Sequence, residues 1–155
     1  MPKRIMERHA SDNKYLHRDF HISGDQGIAY VGKNYGDEGV IDYLTRFVKN
    51  YYKPLIEKIK AEGLSGLMSH IEKIYEIEEA SDALSISLNE NILTVEIAYC
   101  PAIKFMLESG YEPSRWYIET TRTVNNVIAA ESGFQFELID YNIENGKALY
   151  RFIKE

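Results

Sequence analysis

The stretch Leu84–Ile97 reads LSISLNENILTVEI. Leu84, Ile86 and Leu88 alternate with Ser85 and Ser87, and Leu93, Val95 and Ile97 alternate with Thr94 and Glu96. Period two marks a strand with one buried face, and Asn89-Glu90-Asn91 supplies turn chemistry between the two runs. The reading is a β-hairpin. Upstream the period is helical. Val40, Leu44, Phe47, Val48, Tyr51, Leu55 and Ile59 form one apolar stripe. Asp37 and Glu38 stand in its first turn, where the helix dipole favours negative charge. Pro54 inside the stripe predicts a kink near Tyr52, because proline lacks a backbone donor and crowds the preceding turn. An earlier helix runs from the N-cap residues Asp12 and Asn13 to Gly36, with Gly24 and Gly27 as weak points. A later one carries Leu67, Met68, Ile71, Ile74 and Tyr75.

Downstream, Cys100-Pro101 opens a short helix through Ile103, Met106 and Leu107. Pro113-Ser114 opens another, carrying Tyr117, Thr121, Val124, Val127 and Ile128. Asn145-Gly146 signals a second hairpin with a type I′ turn. Pairing Glu144 with Lys147 then sets Asp140 opposite Arg151 and Tyr141 opposite Tyr150. In that register Phe134, Phe136 and Leu138 share one face, and Ile139, Tyr141, Tyr150 and Phe152 share the other. Both faces read as largely apolar, one to pack on helices, the other to be covered by helices or by a second copy in a homodimer. The fold class is α+β: N-terminal helices, then hairpin–two helices–hairpin forming a four-stranded antiparallel sheet.

Composition agrees with a globular domain. Of 155 residues, 45% are hydrophobic and 27% charged, and the net charge is −6. The chain reads as one domain over 1–155, with a flexible basic arm over 1–12. The acidic balance argues against nucleic acid as a partner. No apolar run has the length of a membrane span, and MPKRIMERHASDNK has no apolar core of a secretory signal. The single cysteine excludes an internal disulfide and fits a reducing, cytoplasmic compartment. Tyrosine is in excess, with Tyr 12 against Phe 6 and Trp 1.

Cys100 is the sharpest candidate site. It ends a strand and precedes a helix start, whose unpaired N–H groups and partial positive charge would lower a thiol pKa and make it a nucleophile. The competing reading is a small core hydrophobe. His17 and His21 share a helix face, and Asp25 continues it. They suit a general base oriented by a carboxylate, while two histidines without an HExxH or cysteine pair do not complete a metal site. Glu119, Arg122 and Asn126 share a face of a helix with poor intrinsic propensity, and Arg122 could clamp a carboxylate. The alternative is a solvated Glu–Arg pair. Tyr99 beside Cys100, with Trp116 and Tyr117, would line an aromatic pocket. No glycine-rich phosphate motif and no Ser-centred G-x-S-x-G nucleophile motif appears, and no cofactor is read from the sequence.

These residues carry a resemblance. Glu96-Ile97-Ala98-Tyr99-Cys100-Pro101, Gly110, Arg122-Thr123 and Phe134-Gln135-Phe136 follow one another as in the L-2-amino-thiazoline-4-carboxylic acid hydrolase-like proteins. Val95 to Phe152 resembles that family, and more loosely the vinyl-reductase (V4R) ligand-binding domains. Many members carry further cysteines; here only Cys100 is present. The resemblance implies a small-molecule site near the Cys-Pro helix and hydrolysis of a C–N or C–S bond in a small ring. Three readings follow. One is a hydrolase with Cys100 as nucleophile, His17 or His21 as base and Arg122 as clamp. The second is a non-catalytic ligand-binding domain, and the third a homodimeric interaction protein.

Overall fold

The computed structural model describes residues 15–154, and of Tyr15, Leu16, His17 and Asp19 the backbone alone. The basic arm and the capping residues Asp12 and Asn13 lie outside the described residues. Helix α1 (Tyr15–Tyr51) passes through Gly24 and Gly27 unbroken and turns at Gly36, where φ is 73°. Helix α2 (Lys53–Glu62) begins with Pro54 in its first turn. The proline thus starts a new helix rather than bending an old one, because its missing N–H is unpaired there anyway. Tyr52 bridges the break. Its N–H donates to Val48 O at 2.9 Å, and its carbonyl accepts from Ile56 N at 2.9 Å.

Helix α3 (Leu64–Ile77) follows, then strands β1 (Leu84–Leu88) and β2 (Ile92–Ile97), helix α4 (Pro101–Glu108), helix α5 (Glu119–Ser132) and strands β3 (Phe134–Tyr141) and β4 (Ala148–Lys154). The four strands form one antiparallel sheet in the order β1-β2-β4-β3. Each hairpin stays intact, and β4 joins them by pairing with β2. The α+β class and the hairpin–two helices–hairpin order are as the sequence predicts. Helix α5 starts later than expected: Pro113 and Ser114 belong to the loop before it.

The sheet packs one face on the helices. Leu93, Val95 and Ile97 of β2 pair with Phe152, Tyr150 and Ala148 of β4, and all six are buried. Leu55, Ile56, Ile59, Leu67, Ile71 and Tyr75 meet them from α2 and α3, and Ile128 and Ala129 from α5. Truncating a core aromatic such as Phe152 to Ala costs about 3–5 kcal/mol.

The expected register of the second hairpin is corrected. Phe136 pairs with Phe152 and Leu138 with Tyr150, so these four share the helix-facing side. A β-bulge between Leu138 and Asp140 inserts one residue, and Tyr141, opposite Ala148, returns to the same side. The opposite face is mixed rather than apolar. It carries Ser85, Ser87, Glu96 and Glu137, and Arg151 Nε donates to Glu137 Oε2 at 2.6 Å. Tyr150 and Phe152 are core residues and do not present an interface. Among the described residues, no helix is long and apolar enough to cross a membrane.

Candidate functional site

Cys100 is the N-cap of α4, at φ −82° and ψ 120°. Its backbone N–H donates to Asn145 O at 2.8 Å, which ties the helix start to the β3–β4 loop. That loop is wider than a type I′ turn. Asn142 N–H donates to Lys147 O and Gly146 N–H to Asn142 O, each at 2.8 Å, and Gly146 is buried against Cys100. The sequence predicts a lowered thiol pKa, and here the net direction is upward. Burial raises it, and the field of Glu78 adds to this. The backbone N–H groups of Ile103 and Ala102 and the Tyr117 hydroxyl pull the other way without prevailing.

Four tyrosines feel the thiol electrostatically: Tyr75 from α3, Tyr117 from the loop before α5, Tyr141 from β3 and Tyr150 from β4. Burial is the first cause holding each phenol above its ordinary range, and Cys100 adds to the rise in all four. The register explains the convergence. Tyr141 faces Ala148, and Tyr150 follows two residues later on the same side. Tyr75 is 9% and Tyr150 5% exposed. Neither they nor Tyr141 hydrogen-bond through the hydroxyl to another described residue. Ser132 Oγ is the one side-chain oxygen or nitrogen among the described residues that is sealed from solvent without a partner. The three phenol hydroxyls therefore open on accessible space.

Glu78 stands beside this cluster and is not among the residues the sequence singles out. It is 6% exposed. His21 Nε2 lies 3.0 Å from Glu78 Oε1. Arg18 Nη2 donates to the Glu78 carbonyl at 3.1 Å and to Glu79 Oε2 at 3.2 Å. On the outer side is a groove of about 140 Å³, lined by Arg18, Glu78, Tyr99, Lys104, Phe105 and Glu108 among others. Tyr99 faces that groove. Its hydroxyl donates to Asp82 Oδ1 at 3.0 Å, and Lys104 Nζ lies 5.1 Å from its ring centre. The side chain of His17 lies outside the description.

Asp25 has a different role from the one its helix face predicts. It is 1% exposed. Its carboxylate accepts from Tyr111 Oη at 2.7 Å, Ser114 N at 2.7 Å and Ser114 Oγ at 2.8 Å, tying α1 to the loop before α5.

The remaining candidates form a second group along α1 and α5. Buried Glu119 accepts from Arg122 and from Thr123 Oγ1. Arg122 is thus a partner of its own helix, and the bond to Glu119 is the first cause raising its pKa. Trp116 Nε1 donates to Asp37 Oδ1 at 2.7 Å, with Arg115 stacked 4.1 Å from the ring centre. Asn126 is exposed. No described hydrogen bond or ion pair joins this group to Cys100. Of the predicted site residues, His21 is bonded to Glu78, whose field reaches Cys100, and Tyr99 precedes Cys100 in the chain, whereas Arg122, Glu119 and Trp116 are bonded within the second group. Among the described residues, no three His, Cys, Asp or Glu side chains stand together as a metal-binding set.

Glu78 leaves little trace in the sequence. It sits among Glu76, Ile77 and Glu79 with nothing to mark it as the buried carboxylate. Tyr75, Tyr141 and Tyr150 read as packing or interface residues, and only the tyrosine excess hints otherwise. No protein-family model, curated protein or solved structure matches the chain.

Proposed function

We propose that this chain is a small-molecule-binding domain whose ligand lies at the start of α4, bordered by Cys100, Tyr75, Tyr141 and Tyr150. One observation carries the reading. Tyr75 and Tyr150 are more than nine-tenths buried, yet neither hydroxyl bonds to another described residue and neither is sealed from solvent. A hydroxyl that keeps contact with solvent and has no protein partner takes its hydrogen-bond partner from outside the protein, water or a ligand. The resemblance of Val95 to Phe152 implies a small-molecule site at the same Cys-Pro helix. The raised thiol pKa supports binding over nucleophilic catalysis, because the thiolate is the reactive form.

Thermal denaturation of the full chain against a broad panel of small polar molecules tests this. Binding at a hundredfold excess over Kd stabilises by about 2.7 kcal/mol. At least one class of compound raises the transition. The shift survives Cys100→Ala and His21→Ala and weakens in Tyr75→Phe with Tyr150→Phe. A transition unmoved by the whole panel refutes the reading.

The hydrolase reading rests on a separate observation, the 3.0 Å pair of His21 and Glu78 beside Cys100. In it, Glu78 orients His21, and His21 takes the proton of the nucleophile. Turnover of a bound compound, abolished by Cys100→Ala, would establish it; binding without turnover would remove it.

A further inference from the structure

The break between α1 and α2 gathers a cluster of rings. Tyr51 stacks on Phe47 at 5.0 Å between ring centres, with 13° between the planes. Tyr52 stands at 89° to Phe47 and to Tyr51, at 6.0 Å and 5.0 Å. His70 from α3 meets Tyr52 at 6.0 Å, again at 89°. Tyr51 ends α1 and Tyr52 joins it to α2, so the break sets two adjacent rings at right angles. Tyr51 is still 67% and Phe47 39% exposed. Rings that stack on one another and still face water offer apolar surface to a partner.

Beside them lies a groove of about 330 Å³, lined by Tyr51, Tyr52, Pro54, Leu55, Lys58 and His70. That volume is at the small end of ligand pockets, which run from about 300 to 1,000 Å³. It shares no lining residue with the groove of Arg18 and Glu78.

The sign of the groove sets the sign of its ligand. Its polar groups are two phenols, an imidazole and the Lys58 ammonium, and no carboxylate lines it. The groove of Arg18, by contrast, carries Glu78, Glu79 and Glu108 beside its cations. Neither Lys58 nor Lys73 forms an ion pair with another described residue. Their fields reach His70 from two helices and, after burial, hold its pKa below the ordinary range. In a chain of net charge −6, this groove offers an anion an ammonium group that no described carboxylate occupies.

We propose that this groove binds a small aromatic carboxylate, its ring against Tyr51 and Tyr52 and its carboxylate on Lys58, at a site independent of the one at the start of α4. The ring takes up the exposed aromatic surface, and the carboxylate takes up the unpaired ammonium.

Phenylacetate, phenylacetamide and cyclohexylacetate differ from one another in charge or in ring. Each is titrated against the full chain by NMR with isotope-labelled tyrosine and histidine rings. Phenylacetate binds saturably and moves the signals of Tyr51, Tyr52 and His70. It binds about threefold or more tighter than the amide, as a partly exposed charge pair implies, and than cyclohexylacetate, as a ring–ring contact implies. High salt removes the preference over the amide. Lys58→Gln lowers phenylacetate to the affinity of the amide and leaves the amide unchanged. Tyr51→Ala weakens both together. Both positions are exposed, so the fold survives either change. Tyr75→Phe with Tyr150→Phe, which tests the reading at the start of α4, leaves phenylacetate binding here unchanged. Absence of saturable binding, equal affinity for acid and amide, or an affinity unmoved by Lys58→Gln overturns the proposal. So do shifts confined to Tyr75, Tyr141 and Tyr150, which assign the acid to the start of α4. A dimer in sedimentation that Tyr51→Ala returns to single chains also overturns it and gives the groove to a second copy.

Discussion

Gly146 is seated on Cys100: a Cβ added at position 146 would stand 2.3 Å from Cys100 Cβ and 2.9 Å from Ile103 Cδ1. The position also has φ +72°, which an L side chain rarely adopts. Gly146→Ala therefore carries two costs, about 1–2 kcal/mol for the backbone and about 1–3 kcal/mol for overpacking. Gly133, at φ +84° with nothing within 4 Å of an added Cβ, carries the first cost alone. Urea denaturation of Gly146→Ala and Gly133→Ala separates them. The variant at 146 loses more stability by the overpacking amount; equal losses would show that the loop does not rest on the helix start.

This contact also marks where the sequence stops being legible. The hairpin itself is readable, from alternation in Phe134–Tyr141 and from Asn145-Gly146. Its register is not. It depends on a bulge after Leu138 and on a loop seated against Cys100, and neither leaves a mark in a short window of sequence. A strict alternation sends Leu138 and Tyr141 to opposite faces, and the inserted residue brings them to one. The same limit hides the site. Cys100 and His21 are recognisable by residue type, whereas Glu78 and Tyr75 acquire their roles only from burial beside them.

Gly32 and Trp116 give a second test. A Cβ at Gly32 would fall 2.5 Å from two atoms of the Trp116 ring. Helix propensity alone predicts that Gly32→Ala stabilises α1 by about 1 kcal/mol. Packing predicts the reverse, since the ring must leave its seat and its 2.7 Å bond to Asp37. Trp116 is the only tryptophan, so its emission reports directly. The variant shows lower stability and a red-shifted spectrum; a stabilised protein with unchanged emission would contradict the contact.

Asp25 holds the loop before α5 through three hydrogen bonds in a buried place. Hydrogen bonds to a charged acceptor contribute about 1.5–3 kcal/mol each before losses are shared. Asp25→Ala loses about 2–4 kcal/mol by urea denaturation, and Asp25→Asn loses less because one acceptor oxygen remains. Tyr111 reads the same contact. Burial first, then its bond to Asp25, raises its phenol to about 12. In Asp25→Ala that pKa falls, measurable by NMR of the labelled ring, and an unmoved value would separate Tyr111 from Asp25.

The buried phenols predict how the fold fails in alkali. Tyr75, Tyr117, Tyr141 and Tyr150 are all raised, with burial as the first cause. An unfolded phenol titrates near about 10. Below that pH both states keep their protons, so these groups add no pH dependence. Above it the unfolded chain releases protons that the folded chain still holds. The unfolded state then binds fewer protons, and stability falls as pH rises, by up to about 1.4 kcal/mol per pH unit for each phenol. Four such groups exhaust a stability of about 5–15 kcal/mol within a few pH units. Helical circular dichroism is therefore flat up to about pH 10 and then collapses steeply, and the phenolate absorbance of this set rises with the collapse. Tyr150→Phe lowers the steepness by about one proton. Ionisation of the whole set while the helices persist would show that these tyrosines are not held in the core.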